Sequence, residues 1–179
     1  MKTDNSIELC NHSFSHANNK YDKFYTDSGK VVKDIMKNNE QLELNNAVVR
    51  MPGRNAWRIG PINCTDEIKS KAAIDAVQKA GFDVLGWDLE WKENTESQPL
   101  SPPLILESLP DVSILMKRIK NKFKPGPKNL VTPGHLVLLT HDQYFQTDKA
   151  IGQLIQLFKA LKNTPDYELA FASTYPGLK

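Results

Sequence analysis

The chain has 179 residues, enough for one domain with a sizeable core and too few for two ordinary ones, so we expect a single domain over residues 1–179. Hydrophobic residues make up 40% and charged residues 25% of the sequence, which excludes an intrinsically disordered chain. The net charge of +2 gives no reason to expect a nucleic-acid partner, and no apolar run is long enough to span a membrane.

Strands and helices are predicted to alternate through the first half of the chain. The elements expected there are, in order, a strand at 6–9, a helix at 27–42, a strand at 47–50 and a helix at 66–80. Thr65 is a candidate cap for the last of these helices, and Gly81 is a candidate stop.

The alternation continues in the second half. The expected elements are a strand at 82–87, a helix at 111–123, an apolar strand at 135–140, a helix at 147–162 and a strand at 167–173. Long loops are expected at 98–110 and 126–134, and such loops are often functional. Strands that alternate with helices favour an α/β fold, with a parallel sheet or barrel and helices outside.

Polar residues of catalytic type follow four of the predicted strands. They are His12 and His16 after the first strand, Arg50 in "RMPG", Asp88 and Glu90 in "WDLEW", and His141 and Asp142 in "LLTHD". In parallel α/β folds the functional groups collect at the carboxyl ends of the strands. If the strands are parallel, these four clusters share one face.

Each cluster also has a purely structural interpretation. Two histidines four residues apart on one helical turn can bind one metal ion, but surface histidines at this spacing are common. Asn11 could cap a helix, and Arg50 with its following proline and glycine could simply end a strand. Trp87 and Trp91 could belong to a core, and His141 could be a hydrogen-bonded histidine at a barrel rim.

Taken together, four segments resemble the motifs of one family, the polysaccharide deacetylases of the NodB-homology or carbohydrate esterase family 4 group. "NHSFSH" resembles its His-Ser/Thr-x-x-His metal motif, and "RMPG" resembles its Arg-x-Pro motif. "WDLEW" resembles the Asp-x-x-Asp-Trp motif, with Glu90 where the family usually has aspartate, and "LLTHD" resembles the Leu-x-His motif. The four motifs occur in the family's order between Asn11 and Asp142.

The family's first motif, an Asp-Asp pair at the end of a strand, has no counterpart before His12. The resemblance therefore implies a chain that lacks the family's first strand and helix, and an incomplete (β/α) barrel of parallel strands. A barrel without its first strand exposes an edge, where self-association is expected.

The resemblance also implies a metal-dependent hydrolase that removes N-acetyl groups from a sugar polymer. A divalent metal, zinc by preference, would be held by His12, His16 and the family's aspartate, and the backbone N–H of Gly53 would help to hold the oxyanion. His141 would protonate the leaving amine. Glu90, or Asp88 as second choice, would orient His141. Arg50 would position the base. Trp87, Trp91 and Trp57 would bind the sugar through their rings.

Two alternatives remain open at this point. One is a sugar-binding or interaction module that keeps the groove without the chemistry, and the other is a structural protein with an incidental histidine pair. Chitin, peptidoglycan, exopolysaccharide and a non-glycan amide are all candidate substrates. Family members usually act at the cell surface, although the first residues, MKTDNSIEL, have no signal-peptide core.

Overall fold

The computed structural model of the chain describes residues 7–92, 111–126 and 130–178. Helices and parallel strands combine there in a mixed α/β architecture. The chain divides into two compact units, of which the first runs to Gly86 and takes up the chain again from Ala170, and the second spans Trp87–Leu169. Each unit has its own hydrophobic core.

The first unit contains a four-stranded mixed sheet. Its strands are β1 (Val48–Val49), β2 (Ala56–Ile59), β3 (Ile62–Thr65) and β4 (Asp83–Val84), in the spatial order β1-β4-β2-β3. β1 and β4 are parallel, whereas β2 is antiparallel to both of its neighbours. β2 and β3 form a hairpin that turns at Gly60, whose positive φ of 50° suits glycine.

Three helices accompany this sheet: α1 (Tyr21–Phe24), α2 (Ser28–Gln41) and α3 (Lys71–Lys79). The Asp27 carboxylate caps α2 by accepting from the N–H of Lys30 at 3.1 Å. α3 ends at Lys79, and Gly81, with a φ of +100°, follows its C-cap Ala80. The core contains apolar residues of α2, of α3 and of the sheet: Val31, Ile35, Val49, Ile74, Val77 and Val84.

The second unit pairs two short parallel strands, β5 (Leu89–Glu90) and β6 (Leu138–Leu139), with two helices, α4 (Val112–Lys122) and α5 (Asp148–Lys162). Asp111 caps α4 and Thr147 caps α5, each through a side-chain oxygen that accepts a backbone N–H. The core between these elements contains Leu89, Trp91, Leu115, Ile119 and Leu157.

The helices expected at 27–42, 111–123 and 147–162 are confirmed to within one residue at each end. Strands are present within the ranges expected at 47–50, 82–87 and 135–140, but each is only two residues long. They are β1, β4 and β6. The loop expected at 98–110 lies outside the described residues. The helix expected at 66–80 begins as an α-helix only at Lys71, after one 3-10 turn.

Several expectations are wrong. Residues 7–9 form no strand, and the ladder contact falls on Asn11, which pairs with Val49 as an isolated parallel bridge. Residues 167–173 form no strand either, and a 3-10 turn occupies Ala172–Thr174. Thr65 lies in β3 and does not cap a helix.

The described strands form one sheet of four and one of two, and neither closes on itself into a barrel. The parallel pairing expected from the sequence is present within each sheet. Among the described residues, no helix combines the length and the apolar character needed to cross a membrane.

Candidate functional site

Asn11 anchors the segment that carries the two histidines. Its N–H donates to the carbonyl of Val48 and its carbonyl accepts from the N–H of Arg50, both at 3.0 Å, so it extends the parallel ladder by one residue. The buried side chain donates to the carbonyl of Ile35 and accepts from the Asn38 amide, both at 2.9 Å. Asn11 is therefore a ladder residue tied to α2 and not the helix cap considered above.

His12 is held by one residue at both ring nitrogens. Nδ1 lies 2.7 Å from the backbone carbonyl of Arg50, and Nε2 lies 3.0 Å from Nη2 of the same arginine. Because a carbonyl only accepts and a guanidinium only donates, the arrangement requires the proton on Nδ1 and the lone pair on Nε2. The backbone fixes the ring, and the side chain of Arg50 binds the nitrogen that faces away from the ladder.

His16 reaches His12 through a left-handed stretch of backbone. Ser13, His16 and Ala17 have φ values of 70°, 47° and 56°, so the helical turn expected from the spacing does not form. The N–H groups of residues 14 and 15 donate to Asp34 Oδ2 at 3.0 and 3.2 Å, and the N–H of His16 donates to Ser13 Oγ at 3.0 Å. The two imidazoles still meet edge to face, with centroids 5.1 Å apart.

This arrangement does not fit the metal that the family resemblance implies. The two rings are close enough to share an ion, but the His12 lone pair that would bind it already accepts from Arg50. Within the part of the chain that the structure describes, no three His, Cys, Asp or Glu side chains are grouped to hold a metal ion.

The turn after Pro52 belongs to the same unit as His12. Gly53 has a φ of +61°, and a side chain there would meet the ring of Tyr21 at about 3.0 Å, so the position requires glycine. The Tyr25 hydroxyl donates to the carbonyl of Pro52 at 2.7 Å. Within the turn, the Arg54 side chain donates to the carbonyl of Gly53 at 2.9 Å. The predicted oxyanion donor thus lies at the exposed residue of a turn held by side-chain hydrogen bonds.

In the second unit, parallel pairing of β5 and β6 brings two predicted residues together. Glu90 is in register with Leu139, and its Oε1 lies 3.6 Å from Nε2 of His141, which follows β6. The other carboxylate oxygen of Glu90 lies 3.2 Å from Nζ of Lys92. The His141 ring also packs edge-on against Tyr144 at 5.7 Å. Of the two predicted carboxylates, Glu90 is therefore the one that the structure places beside His141.

Asp88, the second choice for that role, has a different set of partners. Its two oxygens accept from the backbone N–H groups of Val131 and Val137, at 2.8 and 2.9 Å. Burial raises the pKa of the Asp88 carboxyl, and these two hydrogen bonds only partly oppose the shift. Through these two hydrogen bonds Asp88 connects the segment before β6 to the start of β5.

Replacing Asp88 by alanine is therefore expected to loosen the second unit. Two charge-assisted hydrogen bonds are lost, and we expect the free energy of unfolding to fall by about 2 kcal/mol, a moderate value because the carboxyl group is only partly buried. Urea denaturation followed by tryptophan fluorescence measures the change. Asp166→Ala, at an exposed aspartate of the same unit, is the matched control and should change stability by less than about 0.5 kcal/mol. Equal effects of the two substitutions would contradict a stabilising role for the hydrogen bonds of Asp88.

The tryptophans differ in how much of the ring they expose. Trp57 is only 2% exposed and packs on Tyr175, and Trp91 is fully buried against Phe145. Neither ring has an exposed face in this structure, and the sugar-binding role of these two residues stays a prediction. Trp87 is half-buried and remains a candidate.

No protein-family model matches the chain, and no curated protein matches it. The resemblance to the polysaccharide deacetylases therefore depends on the four sequence motifs alone. His12, His16, Arg50 and Gly53 belong to the first unit, and Asp88, Glu90 and His141 belong to the second.

Proposed function

We propose that the chain is a domain of the polysaccharide deacetylase type, an incomplete (β/α) barrel whose complete form removes N-acetyl groups from a sugar polymer. The observation that carries the proposal is the 3.6 Å approach of Glu90 to His141. These residues follow or end two adjacent parallel strands, which is where α/β enzymes collect their functional groups. Both belong to motifs through which the sequence resembles the family.

In this proposal His141 is the proton donor of the reaction. Amide hydrolysis expels an amine, which must be protonated as it leaves, and an imidazolium near neutral pH is suited to that step. The Glu90 carboxylate, with Oε1 3.6 Å from Nε2 of His141, is assigned to orient the ring. The nearby Tyr144 ring restricts the imidazole further.

The metal-binding part of the proposal draws on His12 and His16. A bound zinc ion would polarise the acetyl carbonyl and activate water. We derive no step through it, because the described contact of Arg50 with Nε2 of His12 does not fit a bound metal. The sequence also contains no Asp-Asp pair, so neither the base nor the third ligand is assigned to a residue of this chain.

A second function, a sugar-binding or interaction module without catalysis, is favoured by one observation. Arg50 donates to Nε2 of His12, so this nitrogen has a hydrogen-bond partner within the protein. Such a contact is expected if the domain has kept the deacetylase fold without its catalysis. The two proposals differ in what they require of His141, which is essential to the enzyme and dispensable in the module.

Acetate release from an N-acetylated chitooligosaccharide tests the proposal. We expect the 179-residue chain to stay near background, because a general base alone contributes roughly 10² to 10⁴-fold. The same chain fused behind a strand and helix that carry the family's Asp-Asp pair should release acetate. Peptidoglycan fragments and an acetylated exopolysaccharide complete the substrate panel.

Rapid hydrolysis by the unextended chain would mean that another residue supplies the base. An extended chain that is folded and inert on every acetylated glycan would favour the binding module.

A further inference from the structure

We propose that Arg50 is a built-in competitor of the metal: its guanidinium occupies the coordinating nitrogen of His12, and a metal ion binds this chain only when that side chain leaves. The inference depends on the proposed function solely for the assignment of His12 and His16 as metal ligands. Neither the four motifs nor the comparisons assign such a role to this arginine.

The first support is that the rest of His12 already has the arrangement of a metal ligand. A histidine that binds a metal through one nitrogen usually donates the other N–H to a carbonyl or carboxylate, which fixes the tautomer. Here the carbonyl of Arg50 accepts from Nδ1 at 2.7 Å, so the Nε2 lone pair is directed away from the backbone. A second imidazole, His16, lies edge-on at 5.1 Å.

The second support is that the group bound at Nε2 is itself a cation. Nη2 of Arg50 lies 3.0 Å from Nε2, and a guanidinium can only donate. A metal ion needs the same lone pair and carries charge of the same sign. Both cannot occupy the nitrogen at once, so the affinity for metal must include the free energy of displacing Arg50.

The third support is that displacement needs little rearrangement of the backbone. The N–H of Arg50 donates to the carbonyl of Asn11 at 3.0 Å, and Asn11 is buried and tied to α2. The main chain of both His12 and Arg50 is thus fixed by the ladder. A metal ion that takes the place of the guanidinium at Nε2 would therefore leave the main chain of His12, and its Nδ1 contact with the Arg50 carbonyl, in position.

Isothermal titration of zinc into the full chain tests the inference, with the wild type compared with Arg50→Met. The wild type should bind weakly, and Arg50→Met should bind about 10 to 100 times more tightly, which corresponds to the loss of one hydrogen bond from a charged donor. Arg118→Met, at an exposed arginine on α4, removes the same charge from the other unit and should leave the affinity unchanged. Arg50→Ala repeats the test without a new side chain over the ring.

Zinc affinity that is equal in the wild type and both Arg50 variants, or undetectable in all three, would overturn the inference. Adding His12→Ala to Arg50→Met must abolish the gain. If tight binding survives that second substitution, the ligand assignment fails, and the proposed function fails with it. If the gain depends on His12 and the extended chain still releases no acetate, the competition stands and only the deacetylase assignment falls. Nitrogen-15 imidazole spectra, which show zinc arriving at Nε2, provide the independent readout.

Discussion

Replacing Asp75 by alanine is expected to lower the free energy of unfolding by about 3 kcal/mol, the lower end of the range for breaking a buried ion pair. Arg58 of β2 is completely buried, and its Nε donates to Asp75 Oδ1 at 2.7 Å. Two further hydrogen bonds join the guanidinium to the carbonyls of Trp57 and Cys64. Without the carboxylate, the protein interior would hold a positive charge that has lost its counterion.

The effect should depend on pH in a defined direction. Burial alone would raise the pKa of Asp75, but hydrogen bonds from Lys71 and Arg58 outweigh it and hold that pKa below 3.8, its ordinary value. A depressed pKa stabilises the fold above the unfolded value, and this contribution is lost as the pH falls through the folded value. The difference in stability between wild type and Asp75→Ala should therefore be full above about pH 5 and shrink below about pH 4.

Urea denaturation at several pH values measures both quantities. Lys71 contacts the same carboxylate at 2.8 Å but is half-exposed, so Lys71→Ala is a matched control that should cost less than about 1 kcal/mol. If Asp75→Ala unfolds at the same urea concentration as the control, the buried pair does not stabilise the sheet as described.

The helices could be predicted from the sequence because their signals are local. In α2 and α5 the apolar residues repeat at helical spacing, and the caps Asp27 and Thr147 precede the first turn. Such signals act within a few residues and do not depend on the fold of the rest of the chain. For this reason the predicted and observed ends of these two helices agree closely.

The strands were harder to predict, because pairing depends on partners distant in the chain. The β2–β3 hairpin was missed. β2 is buried along its whole length yet contains Arg58, and a charged residue is not typical of a buried strand. Its counterion, Asp75, lies 17 residues further along the chain on α3. Residues 167–173 have the composition of a strand, but Leu169 and Phe171 are exposed and no pairing forms. Composition alone does not supply the neighbouring strand.

The candidate site also combines features that the sequence predicted with features that it did not. The sequence predicted that His12 and His16 would lie together and that Glu90 would accompany His141, and both pairs are in contact. It could not predict that Arg50 would bind His12, because a long side chain can reach several partners from one backbone position. The family resemblance assigned Trp57 and Trp91 to sugar binding, and the structure buries both of these large apolar rings.

Replacing His141 by alanine should slow acetate release by the extended chain by roughly 10² to 10⁴-fold, the range for loss of a general acid. Its zinc content should not change, because His141 is assigned to proton transfer and not to metal binding. Glu90→Gln keeps the size of the side chain and removes the charge beside the imidazole, so it should lower the rate by a smaller factor. Gln143→Ala, at an exposed neighbour of His141, is the control and should have nearly the wild-type rate.

The most direct test of the proposed function is the rate of acetate release from an N-acetylated chitooligosaccharide by the extended chain and by its His141→Ala variant, measured at equal zinc content. Our account predicts that the extended chain releases acetate and that the variant, still folded and still loaded with zinc, is slower by at least about 100-fold. Equal rates in the two proteins would contradict the assignment of His141, and the absence of any acetate from the folded, zinc-loaded parent would contradict the deacetylase function itself.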